Sequence, residues 1–412
     1  MHHEQQIDRP TAPPTSLPTS GAVPMGAVPM GIPLTQGGGG GTELSSTNRV
    51  DLYPHLEPPP SSSPATPIGL AVIGAPELQA ATDRWSDESK IGGGGFGTVY
   101  ATRRLPTLAR EGACAVKRLD ADSMQGLDEF ENEIRLLGTL HHANLLPLLG
   151  CCQEAGLICL VYPLMEGGDL ECRLLRTELP PALARRWAGA EGEAVLLWRE
   201  RLRIVRDASR GLCYLHSQAT PVLHRDVKPS NILLDLRLNA RLGDIGLAKQ
   251  APEMLHGRTH ISSLTQMGTP GFIDPLISNM GHYSVETDAY AMGVTLAMCI
   301  LGKPVQQTLM DADEMFEQPA LATRVVSTVA EWPDQTAIEV ATIVKGLVVP
   351  RLRAHRLPLT QALRQLEDLA DAAELRPGVS APSEVRECVI CMAELRAARF
   401  RCALCVPELH HL

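Results

Sequence analysis

The chain has 412 residues, and its 37 basic and 47 acidic side chains give a formal net charge of −10. This balance excludes a strongly basic protein that binds nucleic acid or a membrane surface through clustered cations. Hydrophobic residues make up 44% of the chain but aromatic residues only 4%, which predicts a core of aliphatic side chains. The sequence has neither a transmembrane run of about 18 apolar residues nor a signal-peptide pattern. We therefore expect a cytoplasmic protein without a membrane span.

Residues 1–75 differ in composition from the rest of the chain. The first 84 residues contain 14 of the 32 prolines and no lysine, and the motif GAVPM occurs twice in succession from Gly21. Such a segment buries too little apolar surface to offset its ordering entropy, so we expect it to be disordered. The stretch Pro58–Pro60 is compatible with a ligand for a polyproline-binding module, although a plain tether is the simpler interpretation.

From residue 76 onward, a segment rich in short apolar runs is followed by one in which apolar residues recur at helical spacing. The first segment predicts several strands and one helix, at Leu127–Leu137. The strand segments are Ile91–Tyr100 (two strands and a Gly-rich turn), Ala113–Leu119, Leu145–Cys152 and Leu157–Pro163. After Asp169 the pattern is mostly helical, with one long helix whose apolar face runs from Leu202 to Leu215. Between the two regions, Arg176–Val195 is rich in Ala, Pro and Glu, and we expect a surface insertion there.

Gly92–Val99 fits the pattern G-x-G-x-x-G-x-V. Glycines allow a backbone to approach phosphate groups closely, with amide hydrogens directed at the anion. This signal is weak alone, because a loose loop or a dinucleotide-binding turn has a similar sequence. A dinucleotide site requires an acidic residue about 20 residues further on. Here the strand Cys114–Lys117 ends in a lysine instead, which argues against that type of site.

Lys117 and Glu133 are candidates for an ion pair. A lysine among apolar residues usually extends its ammonium group to water. Glu133 follows 16 residues later, beside the apolar stripe of the predicted helix, from where it can reach inward to that lysine. Such a pair would hold the ammonium group against the α- and β-phosphates of a nucleotide. The neighbouring Glu129 and Glu131 are expected to be exposed.

The strongest signal is the loop His224–Asn231, which is followed by the apolar strand Ile232–Leu234. Thirteen residues after Asn231 comes Asp244, the first residue of the motif Asp-Ile-Gly. Asn231 and Asp244 supply oxygen donors of the kind that Mg²⁺ prefers. Asp226 is then left to accept the proton of a substrate hydroxyl. A polar turn explains any one of these residues but not the order of all the motifs.

This order of motifs resembles that of a eukaryotic protein kinase, over roughly Leu78 to Leu369. The closer resemblance is to the Pelle, interleukin-1-receptor-associated and plant receptor-like kinase group. Further segments that carry it are Leu78–Thr82, Glu129–Ile134, His142–Gly150, Leu160–Tyr162, Trp198–His216, Gly268–Pro275 and Asp288. The resemblance implies an α+β, two-lobed kinase fold within residues 76–370. Its small β-rich N-lobe would span about 85–163 and its larger helical C-lobe about 166–370.

The resemblance also implies roles for individual residues. Mg²⁺ would be held by Asn231 and Asp244, and Asp288 would hold the catalytic loop. The catalytic residues would be Asp226, Lys228, Lys117 and Glu133. The residues that would bind ATP are Ile91, Gly92, Gly94, Gly97, Val99, Ala115, Lys117, Tyr162 (at the gatekeeper position) and Met165.

The function that the resemblance implies is that of a serine/threonine protein kinase, which uses ATP and Mg²⁺ and acts on proteins with Ser or Thr hydroxyls. Lys228 favours Ser/Thr over Tyr by resemblance. The alternative is a kinase-shaped scaffold or a ubiquitin-ligase-associated adaptor. Pseudokinases typically lose one of three residues that are all present here, namely Lys117, Asp226 and Asp244, so catalysis is favoured. The sequence leaves the oligomeric state open.

The chain departs from the family pattern at two positions that bear on activity or stability. Ile245 replaces the usual Phe of Asp-Phe-Gly, which keeps an apolar side chain but loses the ring. Leu276 stands where the family has the Glu that closes the activation segment. The usual partner of that Glu is an arginine, best matched by Arg356, so we expect an internal ion pair to be lost. Residues 297–350 match the family only loosely.

Arg225 directly precedes Asp226 and has no carboxylate supplied locally. In related kinases, such an arginine pairs with a phosphate on the activation segment, which would here span Asp244–Pro275. A phosphate adds about −1.5 to −2 charges and accepts paired hydrogen bonds from a guanidinium. The candidate acceptors are Ser262, Ser263 and Thr265, together with Thr259. Thr269 is a poorer candidate, since its position suggests contact with Asp226 and Lys228. A solvated loop is the alternative.

The C-terminal region consists of an expected linker at 371–387 and a cysteine-containing tail at 388–412. The tail carries two C-x-x-C pairs, Cys388 and Cys391, then Cys402 and Cys405. Two such pairs can enclose one tetrahedral Zn²⁺. The opening resembles a RING finger, but the Gly-His expected after Cys402 is missing. We therefore expect at most one Zn²⁺, with a truncated or metal-free tail as the alternative.

Overall fold

The N-terminal lobe is built on one six-stranded sheet in a computed structural model of the chain. The structure describes residues 70–94, 97–120, 124–154, 156–187, 195–251, 261–262, 267–280, 282–348, 355–375, 386–387 and 394–395. Most of the predicted disordered segment, Ser263, Thr265 and the four C-terminal cysteines lie outside these residues.

The sheet has the strand order β1-β5-β6-β4-β3-β2, in which β1 runs parallel to β5 and the other neighbours are antiparallel. Its strands are β1 (Ala71–Val72), β2 (Lys90–Gly94), β3 (Gly97–Ala101), β4 (Cys114–Leu119), β5 (Gly150–Glu154) and β6 (Leu157–Pro163). Two helices accompany it, α1 (Ala75–Ala81) and α2 (Met124–Leu137). The strand predicted at Leu145–Cys152 corresponds to β5, which begins only at Gly150.

The segment that precedes the Gly-rich turn is packed onto the back of this sheet. Ile73 and Leu78 have no exposed surface, and they share an apolar cluster with Cys114, Cys152 and Val161. The backbone of the segment is bound as well, because the amide of Ile73 donates to the carbonyl of Cys151 (2.9 Å). The chain ahead of the Gly-rich motif is thus a structural part of the N-lobe.

The C-terminal lobe is helical, which confirms the predicted α+β architecture. Its helices are α3 (Leu170–Leu175), α4 (Pro181–Trp187), α5 (Trp198–His216), α6 (Pro275–Met280), α7 (Val285–Leu301), α8 (Val305–Asp311), α9 (Asp313–Glu317), α10 (Ala322–Val325), α11 (Asp334–Val348) and α12 (Leu359–Leu375). Short strands complete the chain: β7 (Gly168–Asp169), β8 (Val222–Leu223), β9 (Ile232–Leu234), β10 (Ala240–Leu242), β11 (Lys249–Gln250), β12 (Ile261–Ser262), β13 (His282–Tyr283), β14 (Arg386–Glu387) and β15 (Glu394–Leu395).

Helices α5 and α7 form the centre of the C-lobe. The predicted apolar face of α5, from Leu202 to Leu215, is buried. α7 is buried along almost its whole length, since its sequence is apolar on every side. It ends at Gly302, whose φ of 66° is a left-handed conformation that glycine adopts without strain. No single helix in the described ranges is long and apolar enough to cross a membrane; only α7 and α8 together pass that test, and they meet at 84°.

The structure describes residues 176–187 and 195 of the insertion expected at the surface. Its described part contains α4, in which Ala182 and Leu183 are buried while Pro181 and Ala184 are exposed. The stretch thus lies at the surface as expected, but Ala182 and Leu183 pack against other parts of the chain, which the sequence did not indicate.

Candidate active site

Asp226 is held by hydrogen bonds to both of its carboxylate oxygens. The loop that carries it runs from β8 to β9, and Asp226 is only 4% exposed. Thr269 donates to Oδ1 through its amide (2.9 Å) and its hydroxyl (2.7 Å). Oδ2 accepts from Lys228 Nζ (2.8 Å) and Asn231 Nδ2 (3.1 Å). Lys228 Nζ also donates to Thr269 Oγ1 (2.7 Å), so the predicted contacts of Thr269 are present.

Asp288, on the buried helix α7, anchors the backbone of this loop. Its two carboxylate oxygens accept from the amides of His224 (2.8 Å) and Arg225 (2.9 Å). His216 Nε2 lies 2.9 Å from Oδ2. Burial would raise the pKa of Asp288, but the hydrogen bond and charge of His216 lower it below its ordinary value. A buried, ionised carboxylate therefore fixes the two residues before Asp226, as the resemblance implied.

Lys117 lies between two carboxylates. Its Nζ is 2.6 Å from Glu133 Oε1 and 2.7 Å from Asp244 Oδ1, so the predicted pair with Glu133 is formed across β4 and α2. Burial would lower the pKa of Lys117, but Asp244 and Glu133 raise it above its ordinary value. Removal from water would raise the pKa of Asp244, and the charge of Lys117 lowers it instead. The ammonium group stays charged at the edge of the site.

Tyr162 makes a second contact with Glu133. Its hydroxyl donates to Glu133 Oε2, which leaves each oxygen of that carboxylate with its own donor. Burial, followed by the charge of Glu133, raises the pKa of Tyr162 well above its ordinary value. Tyr162 therefore acts as a neutral donor that fixes the glutamate facing Lys117.

Glu129 is buried, so the expectation that it is exposed is wrong, whereas Glu131 is exposed as expected. Glu129 lies one helical turn before Glu133, on the same face of α2. A Cβ on Gly246 would lie 3.3 Å from the Cβ and Cγ of Glu129, so Glu129 packs close to that glycine. Burial raises the pKa of Glu129 to about 7; Asp244 and Glu133 add to this effect and Lys117 opposes it. Glu129 Oε1 accepts a hydrogen bond from Gln125 Nε2 (3.3 Å).

Asn132 is a site residue that the sequence reasoning missed. Its Nδ2 donates to the carbonyls of Ile245 (3.3 Å), Gly246 (2.9 Å) and Ala248 (2.7 Å). Its Oδ1 accepts from Arg135 Nη2 (2.6 Å). One amide on α2 thus holds the backbone that follows Asp244. The only sequence signal was an amide directly before the inward-facing Glu133.

The donor set fits Mg²⁺ and a nucleotide phosphate group. Asn231 commits its Nδ2 to the carbonyl oxygen (2.8 Å) and side chain of Asp226, which leaves its Oδ1 available to a cation. Asp244 contributes carboxylate oxygens, and hard oxygen donors suit Mg²⁺. Gly97 (φ 137°) tolerates no larger residue, because a Cβ there would lie 2.2 Å from the carbonyl oxygen of Arg118.

The ion pair expected to be lost is replaced by another. Arg356 donates through both Nη atoms to the carboxylate of Asp274, two residues before Leu276. Its guanidinium also lies 5.1 Å from the ring centroid of Tyr290 and donates to the carbonyl of Glu286 (3.1 Å). The expectation is therefore wrong in its consequence, since the arginine has a carboxylate partner from a neighbouring position.

Other predicted site residues line the same cleft or its borders. Ile91, Val99 and Ala115 share one apolar cluster, while Met165 is buried in the main core. Ile245 is 1% exposed in that core, in keeping with the role of an apolar plug. The guanidinium of Arg225 lies 4.6 Å from the ring centroid of Tyr283, and its Nε has no hydrogen-bond partner among the residues the structure describes.

Comparisons with known proteins agree with this geometry. A family model described as "Protein kinase domain" matches residues 85–366. Three Arabidopsis thaliana proteins are among the similar sequences. The chain is 38% identical over 247 residues to "Probable serine/threonine-protein kinase CST" (58% of this chain, 54% of the relative). It is 39% identical over 239 residues to "Probable serine/threonine-protein kinase PBL23" (58% of each). It is 35% identical over 291 residues to "Receptor-like serine/threonine-protein kinase ALE2" (69% and 35%). The chain thus spans about half the length of the curated relatives it matches.

Proposed function

This chain belongs to the protein kinase family, and we propose that it transfers the γ-phosphoryl group of ATP to serine and threonine hydroxyls of proteins. Membership of the family implies ATP and Mg²⁺ as cofactors. The observation that carries the proposal is the orientation of Asp226 by Lys228, Thr269 and Asn231. A scaffold without catalysis has no need of a carboxylate held in this way.

The side chains divide the work of such a reaction. Asp226 accepts the proton of the substrate hydroxyl, and Thr269 and Lys228 fix the direction of its oxygens. Lys117, positioned by Glu133 and Asp244, would stabilise charge on the α- and β-phosphates. Asn231 and Asp244 would hold Mg²⁺, which supplies positive charge to the phosphate oxygens when bound.

Radiolabelled ATP and a generic protein substrate test the proposal. We expect Asp226→Asn to lower phosphoryl transfer by at least about 100-fold, because proton acceptance is removed while the shape is kept. Asp371→Asn is the matched control, since that aspartate is exposed on α12. Equal transfer by Asp226→Asn and wild type, or no transfer by wild type, would favour the scaffold function instead.

We further propose that phosphorylation of the activation segment regulates this site. Arg225 is 8% exposed, and burial lowers the pKa of its guanidinium, so a phosphate would relieve an incompletely partnered cation. Ser262 on β12 pairs with His282 on β13, next to Tyr283, whose ring lies beside Arg225. Ser263 and Thr265 lie outside the described residues. Mass spectrometry and kinetics of the triple variant Ser262→Ala/Ser263→Ala/Thr265→Ala test the proposal. A fully active triple variant and an unmodified segment would refute it.

The C-terminal cysteines carry a separate proposal of at most one Zn²⁺ per chain. Cys388 and Cys391 fall between β14 and β15, which pair antiparallel and bring the two ends of that stretch together. No group of three or more His, Cys, Asp or Glu side chains that could hold a metal occurs in the described part of the chain. Metal analysis of the full chain and of Cys388→Ser/Cys402→Ser tests this site.

The proposed cytoplasmic location is tested by fractionation of cells that express the tagged chain.

A further inference from the structure

The chain turns sharply between α3 and α5. α3 ends at Arg176, whose φ of 54° is left-handed, and the amide of Thr177 donates back to the carbonyl of Cys172 (3.2 Å). α4 then begins at Pro181, where the missing amide hydrogen of proline is tolerated. The amides of Leu183 and Ala184 donate to the carbonyl of Pro180 (2.8 and 2.9 Å). The turn and the proline start together direct α4 back toward the N-lobe.

One face of α4 is buried in the N-lobe. Leu183 is 5% exposed and Ala182 is 8% exposed, although both belong to an insertion outside the core helices. Their apolar cluster also contains Leu164, Ala101 and Ala115, and α4 lies against β2, the strand that leads into the Gly-rich turn. The buried face is therefore the one that meets the sheet.

The surface under α4 is the one expected to bind adenine. Ile91, Val99 and Ala115, which the kinase resemblance assigned to ATP, all belong to the cluster that contains Ala182 and Leu183. Leu164 belongs to it too and directly precedes Met165, another residue that the kinase resemblance assigned to ATP. An apolar face of the protein thus covers the surface that a planar base requires.

Leu179 completes the contact on the C-lobe side. Its Cδ2 lies only 2.8 Å from the position that a Cβ on Gly168 would take, so the leucine packs directly on that glycine's backbone. Leu179 also belongs to the cluster of Ala115 and Leu164. The segment from Leu179 to Leu183 therefore joins the start of α3 to the underside of the N-lobe sheet, across the mouth of the cleft.

We infer that this segment is an internal ligand of the nucleotide cleft, which competes with the adenine base of ATP for one apolar surface. The inference rests on the proposed use of ATP. A surface cannot be covered by α4 and by adenine at once, so nucleotide binding requires α4 to leave. The apparent affinity for nucleotide is then reduced by the fraction of molecules in which α4 is bound. Release of α4 would raise the affinity without any change in a residue that touches phosphate.

Two substitutions on the same helix test the competition. Ala182→Glu places a charge on the buried face, and Ala184→Glu places the same charge on the exposed side two residues away. Calorimetry of the full chain with Mg²⁺ and a non-hydrolysable ATP analogue measures binding. We expect Ala182→Glu to bind the analogue at least about fivefold more tightly than wild type and Ala184→Glu to match wild type. Equal or weaker binding by a folded Ala182→Glu would overturn the inference.

Hydrogen exchange of the wild-type chain gives an answer that does not depend on any variant folding. A ligand usually slows exchange at the surface it covers, whereas a ligand that displaces α4 must speed up exchange of the amides of residues 182–187. We expect faster exchange there at saturating analogue; unchanged or slower exchange would overturn the inference. Both measurements are independent of phosphoryl transfer. Tighter binding by Ala182→Glu in a chain that transfers no phosphate would refute the proposed function alone.

Discussion

Asp274 is bound by Arg356 through both carboxylate oxygens, inside the C-lobe and out of contact with water. The aspartate has no exposed surface, and the arginine is 6% exposed. A bidentate geometry of this kind compensates the removal of two charges from water. The pair ties the end of the activation segment, just before α6, to the chain that leads into α12.

Substitution of Arg356 by Met is expected to destabilise the chain by about 3–5 kcal/mol, because Asp274 would keep a buried charge without its partner. Urea denaturation followed by circular dichroism measures the change. Lys303→Met is the control, since the pair of Lys303 with Asp311 is about one third exposed on both sides and should contribute at most about 1 kcal/mol. Similar losses in the two variants would contradict a special role for the buried pair.

Substitution of Lys117 by Met is expected to lower phosphoryl transfer by about 100- to 1,000-fold while the chain stays folded, because one positioned cation stabilises charge on the phosphates. Initial rates with radiolabelled ATP measure the effect. Lys90→Met serves as the control, because Lys90 is exposed on β2. Comparable turnover in Lys117→Met and wild type would refute the role assigned to Lys117.

Substitution of Asn132 by Ala is expected to lower kcat by about tenfold, because the three carbonyls after Asp244 lose their common donor. Asn132 is a positioning residue, so its loss must also show in the backbone it holds. Hydrogen exchange of residues 246–250 should become faster in the variant. Glu131→Ala, an exposed change on the neighbouring residue, should alter neither quantity. A lower kcat with unchanged exchange would argue against this role.

Glu129 is expected to make stability depend on pH. Its pKa is about 7 in the folded chain, above the ordinary value of 4.5, so the folded state binds this proton more tightly than the unfolded state. The free energy of unfolding should therefore fall as pH rises from about 4.5 to about 7, and then level off. Glu129→Gln should be more stable than wild type by about 1–3 kcal/mol at pH 8 and nearly equal to it at pH 4.5.

Urea unfolding at both pH values measures this difference. Glu131→Gln on the same helix is the matched control, because Glu131 is exposed and its change should leave the pH dependence as in wild type. A constant difference between Glu129→Gln and wild type across the pH range would show that folding does not shift the pKa of this carboxyl.

The sequence was most informative where several motifs had to serve one reaction. The order of the motifs predicted that Lys117 meets Glu133 from a separate element, and the loop His224–Asn231 placed Asp226 and Asn231 together. The burial of Glu129 could also have been predicted, since residues four apart share a helix face. An inward Glu133 implied an inward Glu129, and only the assumption that charges face water hid this.

Two other features depend on tertiary contacts that leave no local signal. Leu276 stands where the family has a glutamate, and Asp274 takes over the ion pair with Arg356 because the two side chains meet in the folded chain. Matching the sequence to the family pattern one position at a time cannot show such a replacement. The buried face of α4 consists of Ala182 and Leu183 in a segment whose composition is that of a surface loop. Two apolar residues are too few to predict burial, so only the fold shows which surface they cover.

The parallel pairing of β1 with β5 has a consequence for self-association. Without β1, β5 would be the edge strand of the N-lobe sheet, and the carbonyls of Leu149 and Cys151 could accept hydrogen bonds from another chain. In the structure these carbonyls accept from the amides of Ala71 and Ile73. A chain cut at residue 76 would lose these amides together with the buried side chain of Ile73. Open strand edges beside exposed apolar surface recruit other copies of a chain. Two residues of strand thus act as a cover that keeps neighbouring molecules from extending the sheet.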